Sequence, residues 1–395
     1  MKGRNLFKMA VMSCMITVGA VFLAMALAQA DTIKIGIIGP LSGPAATWGQ
    51  SIPQGVEMFI EDLEKAGGLT IQGKNYKLEA ISYDDKYNGA EGAKVATRLV
   101  QVDKVKFIIG PISSASVAAI QPITERAQVI VLGNSFSKIA LSPQHQWYWR
   151  VIGTNVETSG ALMNYLAKEL NIKKVAIISP NDESGKSVGE VDRAFWEKEG
   201  VAIVYNEYFE RSVKDFYNPF NKIMASGADI IDTSAFPSGT HALIVKQARE
   251  LGWKKSIVNG TNPDHLVMLD VAGAAAIEDT YAAWSIDSSL PRYNNFKARW
   301  EKKHGREFIY PGPLMWYAAA DILCQAMRKA QTTTDTVAIK KALDSLGVFE
   351  TINGKGYFGG KETYGIDRQL IMPVFVKKAM GGKEITVETI SPKMP

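Results

Sequence analysis

Three short turns carry the side chains best suited to hold a small anion: Leu41-Ser42-Gly43, Ile112-Ser113-Ser114 and Gly133-Asn134-Ser135-Phe136-Ser137. Each follows a short apolar run and so falls at the end of a strand, the place toward which helix N-termini point in an open α/β sheet. The first turn of a helix has unpaired N–H groups and a partial positive charge, and it can hold a carboxylate without any cationic side chain. Serines in such turns also serve simply as helix caps. One turn of this kind says little; three at consecutive crossovers point to a site.

Other chemistries fail on spacing. Gly185-Lys186-Ser187 looks like the end of a phosphate-binding loop, but Pro180 stands where that loop needs its first glycine. Gly36, Gly39 and Gly43 do not make the dinucleotide fingerprint G-x-G-x-x-G. His145, His241, His265 and His304 are scattered, with no H-E-x-x-H pair and no cysteine partner for a metal. No G-x-S-x-G nucleophile elbow is present. Asp84 and Asp85 are adjacent carboxylates, a pairing that can do acid–base work, yet at a strand end a hinge or helix-cap role is expected. No metal or other cofactor is expected, and the motifs point away from an enzyme.

The elements that must position the serine turns alternate along the chain. Ile33 to Ile38 reads as a buried parallel strand, and Ile52, Val56, Phe59, Ile60 and Leu63 recur at helical spacing. Strand Lys77–Tyr83, helix Gly92–Val102, strand Phe107–Ile109, a helix from Ser113 or Ser114, and strand Val129–Leu132 follow. This βαβαβαβ order is that of an open parallel sheet covered on both faces. The same grammar restarts after Arg150, with strands near 174–178, 201–205, 229–233 and 256–258 and helices near 185–199, 216–225 and 240–251. The third part is helix-rich, and Trp316, Ala319, Ala320, Leu323 and Met327 put an apolar stripe on a helix from Pro313 to Lys329. In an open α/β sheet, ligands sit beyond the carboxyl ends of the strands, where the serine turns lie.

Lys2, Arg4 and Lys8, an apolar run from Met9 to Leu27 and Ala28-Gln29-Ala30 describe a secretory signal peptide with cleavage after Ala30. Cys14 belongs to that apolar run. Removal of the segment takes away three of the five net positive charges, and the near-balance that remains argues against nucleic acid as partner. Cys324 is then the one cysteine left, flanked by Ile322, Leu323 and Met327 as a buried helical thiol. A chain of this length divides into two domains.

In order, Thr32–Gly36, Leu41-Ser42-Gly43-Pro44, Trp48-Gly49 and Gly55 resemble the opening of the leucine/isoleucine/valine-type periplasmic binding proteins. Ala66-Gly67-Gly68, Tyr83-Asp84-Asp85, Ile109–Ser114 and Gln247-Ala248-Arg249 continue the likeness along the chain. The resemblance implies two Rossmann-like open parallel-sheet lobes joined by three crossings, with ligand enclosed by hinge closure. Lobe 1 is expected to hold 31–150 and about 283–365, and lobe 2 to hold 151–282 and about 366–395. It further implies a periplasmic monomer that delivers its ligand to an ATP-driven permease in the inner membrane.

Carried over on the same resemblance, Ser114 binds the ligand carboxylate, Ser135 and Ser137 hold the ligand head, and Trp48 forms an aromatic wall. Tyr87 and Ser113 stand where some relatives have a disulfide. Amino-acid binders of the family place a glutamate where Thr261 stands here, and an aromatic where Ser184 stands. A buried ammonium without countercharge costs several kcal/mol, so Thr261 puts an amino-acid ligand in doubt unless Asp264 or Asp182 substitutes. Phe136, Phe236 and Trp284 suit an apolar or aromatic ligand body. A soluble sensor lobe and an exported enzyme remain the alternative readings.

Overall fold

The computed structural model describes residues 31–261, 263–288, 290–308 and 311–392. The expected signal segment 1–30, with Cys14, lies outside the described residues. From β1 (Asp31–Gly39) the chain passes through α1 (Ala46–Lys65), β2 (Leu69–Ile71), β3 (Lys74–Asp84), α2 (Gly89–Gln101), β4 (Phe107–Ile109), α3 (Ser114–Ala127), β5 (Ile130–Gly133) and β6 (Tyr148–Arg150). A second alternation follows: α4 (Asn155–Glu169), β7 (Lys174–Pro180), α5 (Glu183–Lys198), β8 (Ala202–Phe209), α6 (Tyr217–Ser226) and β9 (Ile230–Asp232). It continues with α7 (Ser238–Glu250), β10 (Ile257–Asn259), α8 (His265–Ala272), α9 (Ala274–Ile277) and β11 (Thr280–Trp284). Then come α10 (Pro291–His304), α11 (Gly312–Ala330), α12 (Thr336–Asp344), β12 (Phe349–Thr351), β13 (Gly354–Gly359) and β14 (Gln369–Ile371). The hairpin β15 (Val374–Met380) and β16 (Lys383–Ile390) closes the chain.

These strands form two sheets. One runs β12-β13-β14-β6-β5-β4-β1-β3-β2, the other β16-β15-β11-β10-β9-β7-β8. The central strands are parallel, and antiparallel hairpins trim the edges. Ile35, Ile37 and Ile38 in β1 and all of β4 and β5 are buried, as strands covered on both faces require. The chain changes sheet after β6, after β11 and after β14, which makes three crossings between two α/β lobes. Trp284 ends a strand of the second sheet and Ile371 a strand of the first, a few residues beyond the expected changeovers near 283 and 366.

Helix α11 packs on α1, where Trp316 donates its indole N–H to Ser51 Oγ at 3.1 Å. Its stripe of Trp316, Ala319, Ala320, Leu323 and Met327 is core. Cys324 is fully buried in the same helix, and burial pushes its thiol up to about 12.

Candidate functional site

The site begins with a glycine. Gly110 ends β4 at φ 92°, and a Cβ there would stand 2.0 Å from the Ile38 carbonyl oxygen. A residue without a side chain lets the chain turn hard against β1 and start α3. Ser113, and not Ser114, caps that helix, accepting the Ser116 N–H at 3.4 Å. Ser114 is therefore free to turn its hydroxyl toward the other lobe. Its Oγ meets Ser135 Oγ at 3.1 Å, the Ser137 N–H at 3.2 Å and Ser184 Oγ at 3.0 Å. Ser184 Oγ also lies 3.4 Å from the Ser114 N–H and takes the Tyr87 hydroxyl at 3.3 Å. Four serines from two turns of one lobe and one helix of the other thus meet in a buried cluster, while Ser42 of the first turn bonds Asp84 instead.

Ser184 reaches this cluster because α5 is capped by Asp182, which accepts the Gly185 N–H at 2.8 Å. A Cβ on Gly185 would lie 2.1 Å from the Pro180 carbonyl oxygen, so this glycine serves close helix–strand packing. The N-termini of α3 and α5 face the cluster from opposite lobes, and both place partial positive charge there.

Behind the serine turn stands Arg150, fully buried at the end of β6. Its Nη1 donates to the Ser135 carbonyl at 2.8 Å and the Ser137 carbonyl at 3.4 Å, and its Nε donates to Gln369 Oε1. Glu157 Oε1 lies 3.7 Å from Nη2, and the Tyr364 ring stacks at 4.6 Å. The arginine holds the carbonyls of the turn on one side while the Ser135 hydroxyl and the Ser137 N–H meet Ser114 on the other, and Asn134 and Phe136 of the same turn line the cavity beside the cluster. Sequence reasoning passed over it, although a lone charge inside Trp147-Tyr148-Trp149-Arg150-Val151-Ile152 is a signal that a buried cation has partners.

Arg211, also missed, bridges the two lobes. It pairs with Asp182, donates to the Ala235 carbonyl at 2.9 Å, and its guanidinium sits 5.7 Å from the Trp48 ring and 5.2 Å from the Tyr87 ring. Trp48 and Tyr87 belong to the first lobe, Arg211 and Asp182 to the second. Ala235 is held at φ 70°, a left-handed conformation that costs a side-chain-bearing residue on the order of 1–3 kcal/mol. Its N–H donates to Thr261 Oγ1 at 2.8 Å.

Between the lobes lies a cavity of about 470 Å³, including its mouth, with Trp48, Phe136, Thr261 and Trp284 in its wall. Asn134, Asn155, Ile112 and Met315 complete much of the lining, and among the described residues no carboxylate lines it. Phe236 is elsewhere: it packs edge-on to Phe216 at 5.9 Å in the core of the second lobe. Asp264 caps α8 through the Leu266 and Val267 N–H groups, and its carboxyl, pushed up to about 7 by burial, opens onto a neighbouring cavity. The Asp84-Asp85 pair does not cap a helix. Asp84 ties down Leu41 N–H and Ser42 Oγ at 2.8 and 2.6 Å, while Asn88 caps α2. Among the described residues no cluster of His, Cys, Asp and Glu is arranged to hold a metal ion.

A sequence family described as periplasmic binding protein matches residues 32–383. The leucine-, isoleucine-, valine-, threonine-, and alanine-binding protein of Pseudomonas aeruginosa is 25% identical over 355 residues, 86% of this chain and 91% of that one. The branched-chain amino acid transporter substrate binding protein LivJ from Streptococcus pneumoniae, solved with isoleucine, is similar in fold at TM-score 0.79. It is 23% identical and the match covers 92% of this chain and 100% of that chain. A solute binding protein of an ABC transporter from R. palustris, solved with 4-hydroxybenzoate, gives TM-score 0.77 at 21% identity over 92% and 98% of the two chains. With the family match spanning nearly all of the described residues and the interleaved two-lobe fold shared, the chain belongs to the periplasmic binding proteins, of the leucine/isoleucine/valine-binding kind.

Proposed function

We propose that the chain is the solute-binding component of an ABC importer and captures a small carboxylate-bearing ligand between its lobes. The observation that carries this reading is the Ser114–Ser135–Ser137–Ser184 cluster, where hydroxyls, a backbone N–H and two helix N-termini converge. Such donors hold a carboxylate without a cationic side chain. Fold relatives solved with isoleucine, 4-hydroxybenzoate and benzoate all carry a carboxylate on their ligand, which supports the same class here.

The apolar part of the ligand fits against Trp48, Phe136 and Trp284. The wall contributes no carboxylate, Asp182 is paired with Arg211, and Asp264 caps a helix beside a separate cavity. A simple organic or aromatic acid is therefore preferred over an amino acid, whose ammonium finds no countercharge. The reading further takes the protein as a periplasmic monomer, processed after Ala30, with its permease in the inner membrane. Lobe 1 is taken as 31–150 with about 285–371, and lobe 2 as 151–284 with about 372–392.

A thermal-shift screen tests this directly. Its arms are leucine with 4-methylpentanoate, phenylalanine with phenylpropanoate, and benzoate with 4-hydroxybenzoate. A ligand at about 100 times its Kd adds about 2.7 kcal/mol of stability. Stabilisation by the acids supports the reading, and stabilisation by neither acids nor amino acids refutes it.

A further inference from the structure

Helix α5 carries an acid on its buried face. Val188, Asp192 and Trp196 recur at spacing four, and all three are buried, Asp192 at 1% exposure. Across from Asp192 lies Asp232 at the end of β9, fully buried as well. Asp232 is well served: Trp196 Nε1 donates to Oδ2 at 2.8 Å, and the Ser234 hydroxyl and N–H donate to Oδ1 at 2.6 and 3.0 Å. Asp192 is not. Asn155 Nδ2 donates to its Oδ1 at 3.0 Å, while its Oδ2 has no hydrogen-bond partner. Asn155 Oδ1 and Ser159 Oγ are likewise buried and unpartnered. Neither acid is in an ion pair among the described residues.

Two carboxylates buried together cannot both carry charge without a large penalty. The unpartnered atoms identify the remedy. Asp192 Oδ2 and Asn155 Oδ1 are both acceptors left without a donor, and a proton on Asp192 Oδ2 turns the first from acceptor to donor. We infer that Asp192 is a protonated, neutral acid that shares this buried pair with the ionised Asp232 and acts as a positioning residue for the second-lobe wall of the cleft. The link to the cleft is short. Asn155 lines the cavity and is held by Asp192; Gly260 lines it too, and donates its N–H at 3.0 Å to the Ser234 hydroxyl that Asp232 holds. Burial, and then the neighbouring Asp232, push the Asp192 carboxyl up to about 8, against hydrogen bonds that pull it down. The facing groups are Asn155 and Ser159 from α4, Ser234 from the turn after β9, and Asp232, the titratable one among them. Tyr208 of β8 lies a turn away, beside Gly189, with its hydroxyl held above its ordinary value by burial.

The sign of the pH effect follows. Between the ordinary carboxyl range and about 8, the folded chain holds a proton that the unfolded chain has lost, so this group makes stability fall as pH rises through that window and level off above it. Asparagine supplies the missing donor without the proton. The ligand-free protein therefore suffices for the test, independent of what the cleft binds. Melting temperatures of wild type and Asp192→Asn are compared from pH 5 to pH 9, with Asp192→Ala as the variant that leaves Asn155 Nδ2 without an acceptor. The melting gap in favour of Asp192→Asn should widen as pH rises to about 8 and then stay constant, with Asp192→Ala lowest throughout. An infrared difference between wild type and Asp192→Asn at neutral pH should show a protonated carboxyl band lost. Hydrogen exchange at the Gly260 amide, corrected for intrinsic rate, should quicken above pH 8 in wild type and not in Asp192→Asn. A pH-independent gap, or only a carboxylate band in the difference spectrum, overturns the neutral acid. Unchanged exchange at Gly260 in all three proteins overturns the positioning role.

Discussion

Replacing Ser114 by alanine separates ligand binding from helix capping. The substitution removes the hydroxyl on which Ser135 Oγ, the Ser137 N–H and Ser184 Oγ converge. All three keep another partner: the Ser137 N–H still donates to Ser135 Oγ at 3.1 Å, and Ser184 still has Tyr87. The folding cost is then that of one neutral hydrogen bond, about 1 kcal/mol, or a melting shift of about 2–4 °C. A ligand carboxylate instead loses a bond to a charged group, about 1.5–3 kcal/mol, which is about 10- to 150-fold in Kd. Ser113→Ala is the control. It deletes the cap on α3 at about 1 kcal/mol of stability and leaves the cleft hydroxyls in place. Titration calorimetry with the best acid from the screen should show weak binding for Ser114→Ala and near-normal binding for Ser113→Ala. The reverse pattern, or unchanged affinity in a folded Ser114→Ala, would refute the assignment of the cluster to the carboxylate.

Three further outcomes are expected. 4-Methylpentanoate should bind at least as tightly as leucine, and Thr261→Glu should weaken acid binding well below Thr261→Gln, which loses the same Ala235 contact without adding charge; calorimetry on the four combinations decides it. Arg211→Ala should open the ligand-free lobes, seen as a larger radius of gyration in X-ray scattering, because it deletes ring contacts between the lobes worth about 0.5–2 kcal/mol each; unchanged scattering would count against Arg211 holding the lobes together. His241 is buried beside Thr233, and burial holds its imidazole down to about 3, so the unfolded chain takes up its proton first and stability falls as pH drops below about 6.5. His241→Gln should flatten that part of the melting profile.

Much of the fold is legible in the sequence. The strand expected at 174–178 is Lys174–Pro180, and the helix expected over Pro313–Lys329 is Gly312–Ala330. Continuous apolar runs ending in glycine identify buried strands well because both faces of these sheets are covered. Helix α4 was overlooked although Thr154 and Glu157 form a capping box, because its buried face is diluted with Asn155, Thr158 and Ser159. Asn155 faces the acid pair, and Thr158 and Ser159 face Gly260, so polar groups on the buried face break the pattern that reveals a helix. Strand β6 and the short edge hairpins were also unread, being too short for periodicity to register. The four serines were named from the turns and the resemblance. Arg211 had no signal in sequence, since its partners Asp182 and Tyr87 lie 29 and 124 positions away. Phe236 shows the opposite limit: an aromatic at a strand end reads the same whether it faces a ligand or a core.

The interleaved strand order has a consequence for how the protein is made. Strand β6 is an interior strand only once β14 has joined it, and Arg150 and Gln369 are 219 positions apart. At about 5–20 residues per second of synthesis, the wait is on the order of 10–45 s. The second sheet waits similarly, for β15 to pair antiparallel with β11. A nascent chain cannot finish either lobe before β14 and β15 are made, and meanwhile it carries two open strand edges and an Arg150 that lacks Gln369 and the Tyr364 ring. During that wait each open edge presents unpaired N–H and C=O groups to any other chain that meets it.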